Sequence, residues 1–304
     1  MSLISLQIMV LTILRLVNQR LEFRLSKILV FGSGGFIGNA ICKLLTTANE
    51  RVVRIDRKAF SEIKSTPIHF HKTLEETDVI IFCAAIVPAK SSKDFTDNMI
   101  LVNDFINLIN GHQFAYLLNI SSDAVYGDYN RPITEADSPQ PTSTHGMMHY
   151  SREFILHESF AHVMGNLRPT LVFGPRDPHN SYGPNRFIRQ ALAKNPIEII
   201  GRGEEQRDHI FIEDVAKIAQ RMTKLRLIGT VNAATGQTTD YKTIALYIQS
   251  QIPKAHITFM DRKQQNIPHN GYRAFDTSKL QQIAPDLKIL DVEQGIKTTL
   301  MEGI

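Results

Sequence analysis

The sequence has 304 residues, of which 43% are hydrophobic, with a formal net charge of +4 and a pI near 9.0. That length suits one large α/β domain or two lobes that share a cleft. The mild positive charge favours anionic small molecules, and without a dense run of Lys and Arg it does not indicate a nucleic-acid partner. Cys42 and Cys83 both lie in apolar stretches, which predicts reduced core thiols in a cytoplasmic protein.

Residues 1–25 form a separate N-terminal extension in the predicted organisation. An apolar stretch of about a dozen residues is followed by Arg15, Arg20 and Arg24. The stretch is too short to span a membrane and lacks the features of a signal peptide, so we expect no integral membrane association. Two hypotheses stay open. The segment is either an amphipathic helix packed on the domain, a partner or a membrane surface, or a non-functional extension from an upstream start codon.

The rest of the chain alternates between short apolar runs and amphipathic segments. Runs at 27–32, 78–86 and 116–122 are typical of buried parallel strands, and "RVVRID" is typical of a strand ending at Asp56. This alternation predicts a doubly wound, Rossmann-type parallel sheet of the α/β class. After Asp56 the chain leaves room for a brief strand near "PIHFH" but hardly for a crossover helix. The predicted helices are "GFIGNAICKLLTTA", "NMILVNDFINLIN" and "EDVAKIAQRMTKL", and "GTVNAATG" is a further strand and turn.

A glycine-rich loop joins the first strand to the first helix. It supplies Gly32, Gly35 and Gly38 in "VFGSGGFIG". The first glycine permits a tight turn, the second lets the backbone approach a pyrophosphate, and the third lets the helix sit close to the strand. The helix N-terminus offers free N–H groups to the anion. The alternative is a glycine-rich turn without a ligand.

An acidic residue at the end of the second strand supports the dinucleotide interpretation. Asp56 is placed to accept hydrogen bonds from both adenosine ribose hydroxyls, and its charge would repel a 2′-phosphate. The neighbouring Arg57 could accommodate that phosphate. We therefore expect NAD as the cofactor, with NADP as the less favoured choice.

With these motifs on one chain, the sequence resembles the extended short-chain dehydrogenase/reductases, the NAD-dependent epimerase/dehydratase family that acts on nucleotide sugars. The resemblance runs from about residue 27 to the C-terminus and is carried by the glycine motif, "DVIIFCAA", "SSDAVYGD", "LRPTLVFGPRDP", "GRGEEQRDHIFIEDVA" and "FDTSKL". It implies a Rossmann domain at 26–170 and 208–236, and a smaller substrate lobe at 171–207 and 237–304. It also implies a homodimer. The cofactor-binding residues it implies are Gly32, Gly35, Phe36, Ile37, Gly38, Asp56, Arg57, Ala84, Ala85, Asn103 and His149.

The segment "ISSDAVYGD" follows a strand, so its side chains should emerge at the carboxyl edge of the sheet. By resemblance, Ser122 hydrogen-bonds the reacting sugar oxygen; the alternative is a serine that caps a helix. Asp123 supplies an acid, but Ala124 stands where the sugar 4,6-dehydratases carry a second carboxylate, which disfavours that activity. Asp123 or Tyr126 remains an alternative proton carrier.

The family's Tyr-x-x-x-Lys signature is altered. Gly146 and Glu153 anchor its register and place His145 at the tyrosine and His149 at the lysine. Three interpretations compete. The two histidines replace the acid/base and the nicotinamide ribose ligand, although imidazole is shorter than phenol and a water would have to bridge or the substrate sit closer. They bind a metal, for which no third ligand is near in sequence. Or redox chemistry is impaired.

The loop "LRPTLVFGPRDPHNSYGPNRF" is expected to cross into the smaller lobe. Guanidinium groups there match the oxygens of a diphosphate. We therefore predict an NAD-dependent epimerase or ketoreductase that transfers hydride at a carbon of a nucleotide sugar, without a metal site. The alternative is a catalytically impaired NAD- and nucleotide-sugar-binding protein with a structural or regulatory role. The expected substrate-binding residues are Tyr126, Arg176, Asn185, Phe187, Arg207 and Arg273.

Overall fold

The computed structural model describes residues 26–262 and 268–304, so the extension predicted at 1–25 lies outside the described residues. The strands of this part of the chain are β1 (Lys27–Phe31), β2 (Arg51–Ile55), β3 (Val79–Phe82), β4 (Tyr116–Ile120), β5 (Met164–Pro169), β6 (Leu171–Phe173), β7 (Ile197–Ile200), β8 (Gln206–Phe211), β9 (Gly229–Ala233), β10 (Thr238–Asp240), β11 (Ile257–Met260) and β12 (Tyr272–Arg273). The α-helices are α1 (Phe36–Thr47), α2 (Arg57–Ser65), α3 (Pro67–His71), α4 (Ser92–Ile109), α5 (Thr144–Phe160), α6 (Pro184–Leu192), α7 (Ile212–Leu225), α8 (Tyr241–Gln251), α9 (Ser278–Ile283) and α10 (Val292–Glu302).

The main sheet has six strands in the order β2-β1-β3-β4-β5-β9, and every neighbouring pair is parallel. The chain moves outward from β1 to β2 and then returns to β3 on the other side of β1. This reversal creates a crevice at the carboxyl ends of β1 and β3, where open α/β sheets bind ligands. The predicted doubly wound α/β class is confirmed.

Both faces of the main sheet are covered, which explains why its strands are continuous apolar runs. Ile28 and Val30 of β1 point into the cluster beneath α1 and α7, while Leu29 and Phe31 point into the cluster with α4 and α5. All five residues of β1 and of β4 are buried. The sheet is thus a rigid support for the loops at its carboxyl edge.

A second layer lies beside this sheet. Strand β8 lies between β10 and β12 and also pairs with β6, and β11 pairs with β7. Helices α6, α8 and α10 bury aromatic and aliphatic side chains against these strands, with Phe187 and Tyr241 among them. The lobe boundary expected between 207 and 208 falls inside β8.

Two local expectations were wrong. "PIHFH" is not a strand but helix α3, which starts with Pro67 as its first residue and buries Phe70. The preceding residues form α2, which is capped by Asp56, so this crossover is helical after all. The segment 167–187, expected to be a loop, begins instead with the end of β5 and with β6. In the described ranges, no helix is long and apolar enough to cross a membrane.

Candidate active site

The glycine loop folds tightly, as its motif predicts. Gly32 has φ +83°, and a Cβ there would lie 2.6 Å from the backbone nitrogen of Ala84. A Cβ at Gly38 would lie 2.9 Å from the carbonyl carbon of Gly32 and closer still to its oxygen. Real side chains do not tolerate such distances, so these two positions require glycine. The N–H of Gly35 donates to the Gly32 carbonyl over 3.0 Å and closes the turn.

The N-terminus of α1 fits a phosphate group. Its N-cap is Gly35, and no side chain of the described residues caps it. The same holds for α3, α6, α7 and α9, whereas Asp56, Ser91, Ser143, Asp240 and Asp291 cap their helices with a side-chain oxygen. The N–H groups of Phe36 and Ile37 therefore lie in a first turn that no side chain caps, at the positive end of the helix dipole. Gly34 and Gly35 are exposed, so the backbone is open to a ligand.

Asp56 and Arg57 lie next to this loop. The Asp56 side chain is exposed and accepts from the Ala59 N–H over 2.9 Å, and its Cβ is 3.6 Å from where a Cβ of Gly34 would be. Arg57 is the exposed first residue of α2. The sequence did not single out Arg54, whose guanidinium donates to the Ser33 carbonyl over 3.0 Å and holds the loop against β2. These positions suit an adenosine ribose at Asp56.

The loop after β3 contributes Ala84 and Ala85, both half-buried at the crevice. An asparagine of α4 holds this loop: it is Asn98, which the sequence did not single out, whereas Asn103 was expected to contact the cofactor. Asn98 accepts from the Ile86 N–H and donates to the Ile86 carbonyl, each over 2.9 Å, while Asn103 lies on an exposed side of α4. The two asparagines are five residues apart and thus on different faces of the helix.

Ser122 and Asp123 emerge after β4. Ser122 Oγ accepts from the Ala124 N–H over 3.1 Å and caps a short 3-10 helix at Asp123–Val125. Asp123 Oδ2 accepts from Arg273 Nε over 2.8 Å, and Arg273 also donates to the Gly127 carbonyl over 3.1 Å. Arg273 therefore fastens this segment to β12. These bonds engage much of the guanidinium that was expected to approach the nucleotide.

Gly146 explains how α5 reaches this segment. A Cβ on Gly146 would lie 2.9 Å from the carbonyl carbon of Ala124 and 3.0 Å from Pro141 Cβ. The helix starts here because Ser143 Oγ accepts from the Gly146 N–H over 3.1 Å. The contact places His145, the preceding residue, beside the turn that carries Ser122.

The two histidines of α5 contact each other. The ring centroids of His145 and His149 are 4.7 Å apart at an interplanar angle of 84°. His149 is 5% exposed, and the Nδ1 atoms of both rings are buried without a hydrogen-bond partner in the described residues. In the same ranges, no three His, Cys, Asp or Glu side chains are placed to hold a metal ion.

The environment keeps both imidazoles neutral. Burial lowers the pKa of His145, the Asp123 carboxylate raises it in part, and His179 lowers it further. Burial is also the largest cause that holds the pKa of His149 well below its usual value, followed by the charges of Arg152 and His145. A neutral imidazole near neutral pH can accept a proton, which suits a general base.

Tyr126 was expected at the substrate, and the structure buries it instead. Its side chain is 1% exposed, and its hydroxyl donates to Asn232 Oδ1 over 2.8 Å. Burial raises the pKa of Tyr126 to about 12. Arg168 stacks 4.7 Å from its ring and forms two hydrogen bonds, of 2.9 and 2.6 Å, to the Glu153 carboxylate. Tyr126 and Glu153 are therefore parts of the packing beneath the site.

Two further expected substrate contacts are structural. Phe187 is completely buried in the second core layer. Asn185 is 3% exposed and donates to the Gly174 carbonyl over 2.8 Å and to Asp177 over 2.9 Å. It fixes the turn that carries Arg176, which is exposed at φ +63° and lies with Gly35 along one cavity. Sequence spacing could not distinguish these contacts from cleft residues.

Arg207 remains placed for an anion. It is 8% exposed, and its Nε is buried without a hydrogen-bond partner in the described residues. His209, which the sequence did not single out, has an equally unpartnered Nε2. Burial, and then the charge of Arg207, lower the pKa of His209 to about 3, so the imidazole is neutral. A buried guanidinium with a free donor is suited to a phosphate oxygen.

The model of the NAD dependent epimerase/dehydratase family matches residues 28–232, which is more than half of the chain. The protein therefore belongs to this family of NAD-dependent enzymes. The resemblance inferred from the sequence and the expected cofactor NAD are confirmed at the level of the family.

Individual relatives align over most of their length. A Bacillus subtilis protein described as an uncharacterized UDP-glucose epimerase is 29% identical over 293 residues, which cover 84% of this chain and 91% of the relative. A putative UDP-glucose 4-epimerase of Methanocaldococcus jannaschii is 25% identical over 296 residues, covering 89% and 96%. The solved UDP-glucose 4-epimerase of Thermus thermophilus, in complex with NAD, shares the fold with a TM-score of 0.77 at 20% identity, covering 91% of this chain and 98% of that one.

Proposed function

We propose that the protein is an NAD-dependent nucleotide-sugar epimerase or ketoreductase that acts on a UDP-sugar. Family membership supports the class of reaction, and the relatives described as UDP-glucose epimerases support the nucleotide. The observation that carries the proposal is the contact between Gly146 and Ala124, because it brings His145 to the segment of Ser122 at the carboxyl edge of the sheet.

The cofactor-binding part of the proposed site is the glycine loop. When bound, NAD would accept and return a hydride. Gly32 and Gly38 keep the loop against α1, so that the N–H groups at Phe36 and Ile37 would hold the pyrophosphate. Asp56 would accept from the adenosine ribose hydroxyls, which favours NAD over NADP. His149 would orient the nicotinamide ribose.

The residues proposed for proton transfer are Ser122 and His145. Ser122 would donate a hydrogen bond to the reacting sugar oxygen, and His145 would take the hydroxyl proton as hydride leaves the carbon. Its lowered pKa keeps the imidazole ready to accept that proton at neutral pH. Asp123 is paired with Arg273 and would stabilise the imidazolium that results.

The substrate-binding part of the site is proposed to lie in the second layer. Arg207 would bind the diphosphate, because its buried Nε has a free donor direction. Arg176 would lie at the rim, next to the glycine loop. We propose that residues 171–207 and 237–304 form the substrate lobe around these two arginines.

The activity can be tested with purified protein, NAD and a panel of UDP-, dTDP-, GDP- and CDP-sugars. We expect the wild type to convert a UDP-sugar and His145→Ala to lose at least about 100-fold in rate. The matched control is His157→Ala, which removes an exposed histidine from the same helix and should retain the rate. Equal background conversion by the wild type and His145→Ala, despite NAD binding, would contradict the enzyme proposal.

We also propose a homodimer formed through α4 and α5. These helices pack on each other and expose Ile100 (54%), Met147 (44%) and Phe154 (56%), of which the last two are seven residues apart on one face. Two copies could bury these side chains against each other. Light scattering should give a dimer for the wild type and a monomer for Phe154→Glu, and a monomeric wild type would contradict the proposal.

A cytoplasmic location is proposed as well. It is supported by Cys42 and Cys83, which are both free thiols. Burial raises the pKa of both, and that of Cys83 to about 12, so the thiols resist oxidation. Fractionation of cells that produce the protein would test the location.

A further inference from the structure

Helix α5 carries a fully buried arginine beneath the proposed site. Arg152 is 2% exposed. Its Nε donates to Asn119 Oδ1 over 2.8 Å, its Nη1 to the Ala84 carbonyl over 2.9 Å, and its Nη2 to the carbonyls of Phe82 and Ile120 over 2.8 Å each. The guanidinium therefore joins the carboxyl ends of β3 and β4 to the loop that begins at Ala84.

Within residues 26–262 and 268–304, the charge of Arg152 has no carboxylate partner. In the described residues no ion pair includes it, and the adjacent Glu153 is engaged by Arg168 at 2.6 Å. Burial lowers the pKa of Arg152 to about 10, so it stays protonated at neutral pH. The positive charge of Arg152 faces the carbonyl dipoles and the Phe82 ring, whose centroid is 4.4 Å away. Burying a cation without a carboxylate partner is energetically costly, so its retention here points to a role for the charge.

The charge of Arg152 lies close to His149 of the proposed site. Arg152 lies one helical turn after His149, on the same side of α5. The titratable groups whose charges would act on His149 are Arg152 and His145, both on α5. Asp123 from the 3-10 helix and His179 from the loop after β6 act on His145. A fixed cation beside an imidazole opposes its protonation.

We propose that Arg152 is a positioning residue: its guanidinium fixes the loop at Ala84 for the cofactor, and its permanent charge, one helical turn from His149, adds to the effect of burial by opposing a second positive charge on that imidazole. Histidine replaces the lysine of the resembled signature at position 149, and the fixed cation appears one turn later. The neutral ring keeps a lone pair, so it can accept a hydrogen bond from a ligand hydroxyl as well as donate one. The catalytic relevance of this device rests on the proposed function, but the device itself does not.

The test uses histidine titration by NMR on ¹⁵N-histidine-labelled protein, with His149→Asn to assign the signal. In Arg152→Gln, the pKa of His149 should rise by at least about one unit, because the opposing charge is gone. In Arg152→Lys, it should stay near the wild-type value. Leu156→Ala is the matched control: it opens the core on the same helix without a change in charge, and it should leave the titration of His149 unchanged.

NAD affinity separates the two parts of the proposal. A lysine cannot reach three carbonyls in the geometry of a guanidinium, so Arg152→Lys should weaken NAD binding about tenfold, which is the loss of a hydrogen bond or two. An unchanged His149 titration in folded Arg152→Gln, or an equal shift in Leu156→Ala, would overturn the proposal. If Arg152→Gln does not fold, an unchanged NAD affinity in Arg152→Lys would overturn it. None of these measurements needs turnover, so an inactive wild type would contradict the proposed function alone.

Discussion

Replacing Gly146 with alanine should destabilise the protein, although alanine is the better helix former. In a helix interior the change from glycine to alanine normally gains about 1 kcal/mol. Here the new Cβ would lie 2.9 Å from the Ala124 carbonyl carbon, closer still to its oxygen, and 3.0 Å from Pro141 Cβ. The obstacle is backbone, which cannot rotate away, so the overpacking cost should be about 3 kcal/mol. The net loss in the free energy of unfolding should then be about 2 kcal/mol.

The same change should act on catalysis more strongly than on cofactor binding. The start of α5 must move by about 1 Å relative to the Ser122 segment, and a misplacement of that size costs about 100-fold in rate. NAD affinity should stay within about threefold, because the glycine loop is untouched. Urea unfolding, NAD titration and kcat/KM for the best UDP-sugar measure the three quantities.

The matched control is Gly127→Ala. Its new Cβ would lie 3.1 Å from both the Cβ and the Oε1 of Gln140, a milder overlap than the one at Gly146, which a shift of a few tenths of an ångström at Gln140 relieves. We expect a loss in unfolding free energy of about 1 kcal/mol, smaller than the loss for Gly146→Ala, and little loss of activity. A Gly146→Ala protein that is as stable and as active as the wild type would refute the reasoning.

Four other predictions concern single positions. Asp56→Asn keeps the helix cap but removes the charge, so the preference for NAD over NADP should fall about tenfold; equal ratios of dissociation constants would count against the ribose contact. The folded-state pKa of His149 lies below the unfolded value of about 6.5, so its contribution to stability is complete above that pH and is lost as the pH falls. His149→Asn should therefore weaken the acid dependence of unfolding between pH 7 and 5, and an identical dependence would contradict a neutral buried ring. Glu153→Gln leaves Arg168 buried and unpaired and should cost about 3–5 kcal/mol in urea unfolding, whereas a loss below about 1 kcal/mol would contradict the buried pair. Arg207→Met should raise the dissociation constant of UDP about 100-fold in calorimetry and leave that of NAD unchanged; unaltered UDP binding would exclude Arg207 from the diphosphate site.

The glycine loop could be predicted from the sequence because its requirements are local. The turn at Gly32 and the close seating of α1 at Gly38 depend on residues within one strand–loop–helix unit. The helix at "PIHFH" was missed for the opposite reason, because a contact distant in sequence decides its conformation. Five residues with two apolar positions fit a short strand or a short helix, and the contact of Phe70 with Phe31 decides between them.

At the site itself, long-range contacts limit what could be predicted from the sequence. The spacing of residues could not show that Asn98 reaches the loop after β3, since that depends on which face of α4 meets the sheet. Phe187 and Tyr126 lie in segments that resemble cleft motifs, but their side chains turn into the core. Arg152 was missed because a charged residue on a helix is usually solvated. Its burial is explained only by hydrogen bonds to three carbonyl groups that are distant in sequence.

The central claim is that His145 exchanges the proton of the reacting hydroxyl. Stopped-flow absorbance at 340 nm measures it most directly, with enzyme and NAD mixed with the best UDP-sugar in a single turnover. The wild type should show formation of NADH, while His145→Ala, saturated with the same NAD, should form it at least about 100-fold more slowly. NADH formation at the wild-type rate in His145→Ala would contradict the account.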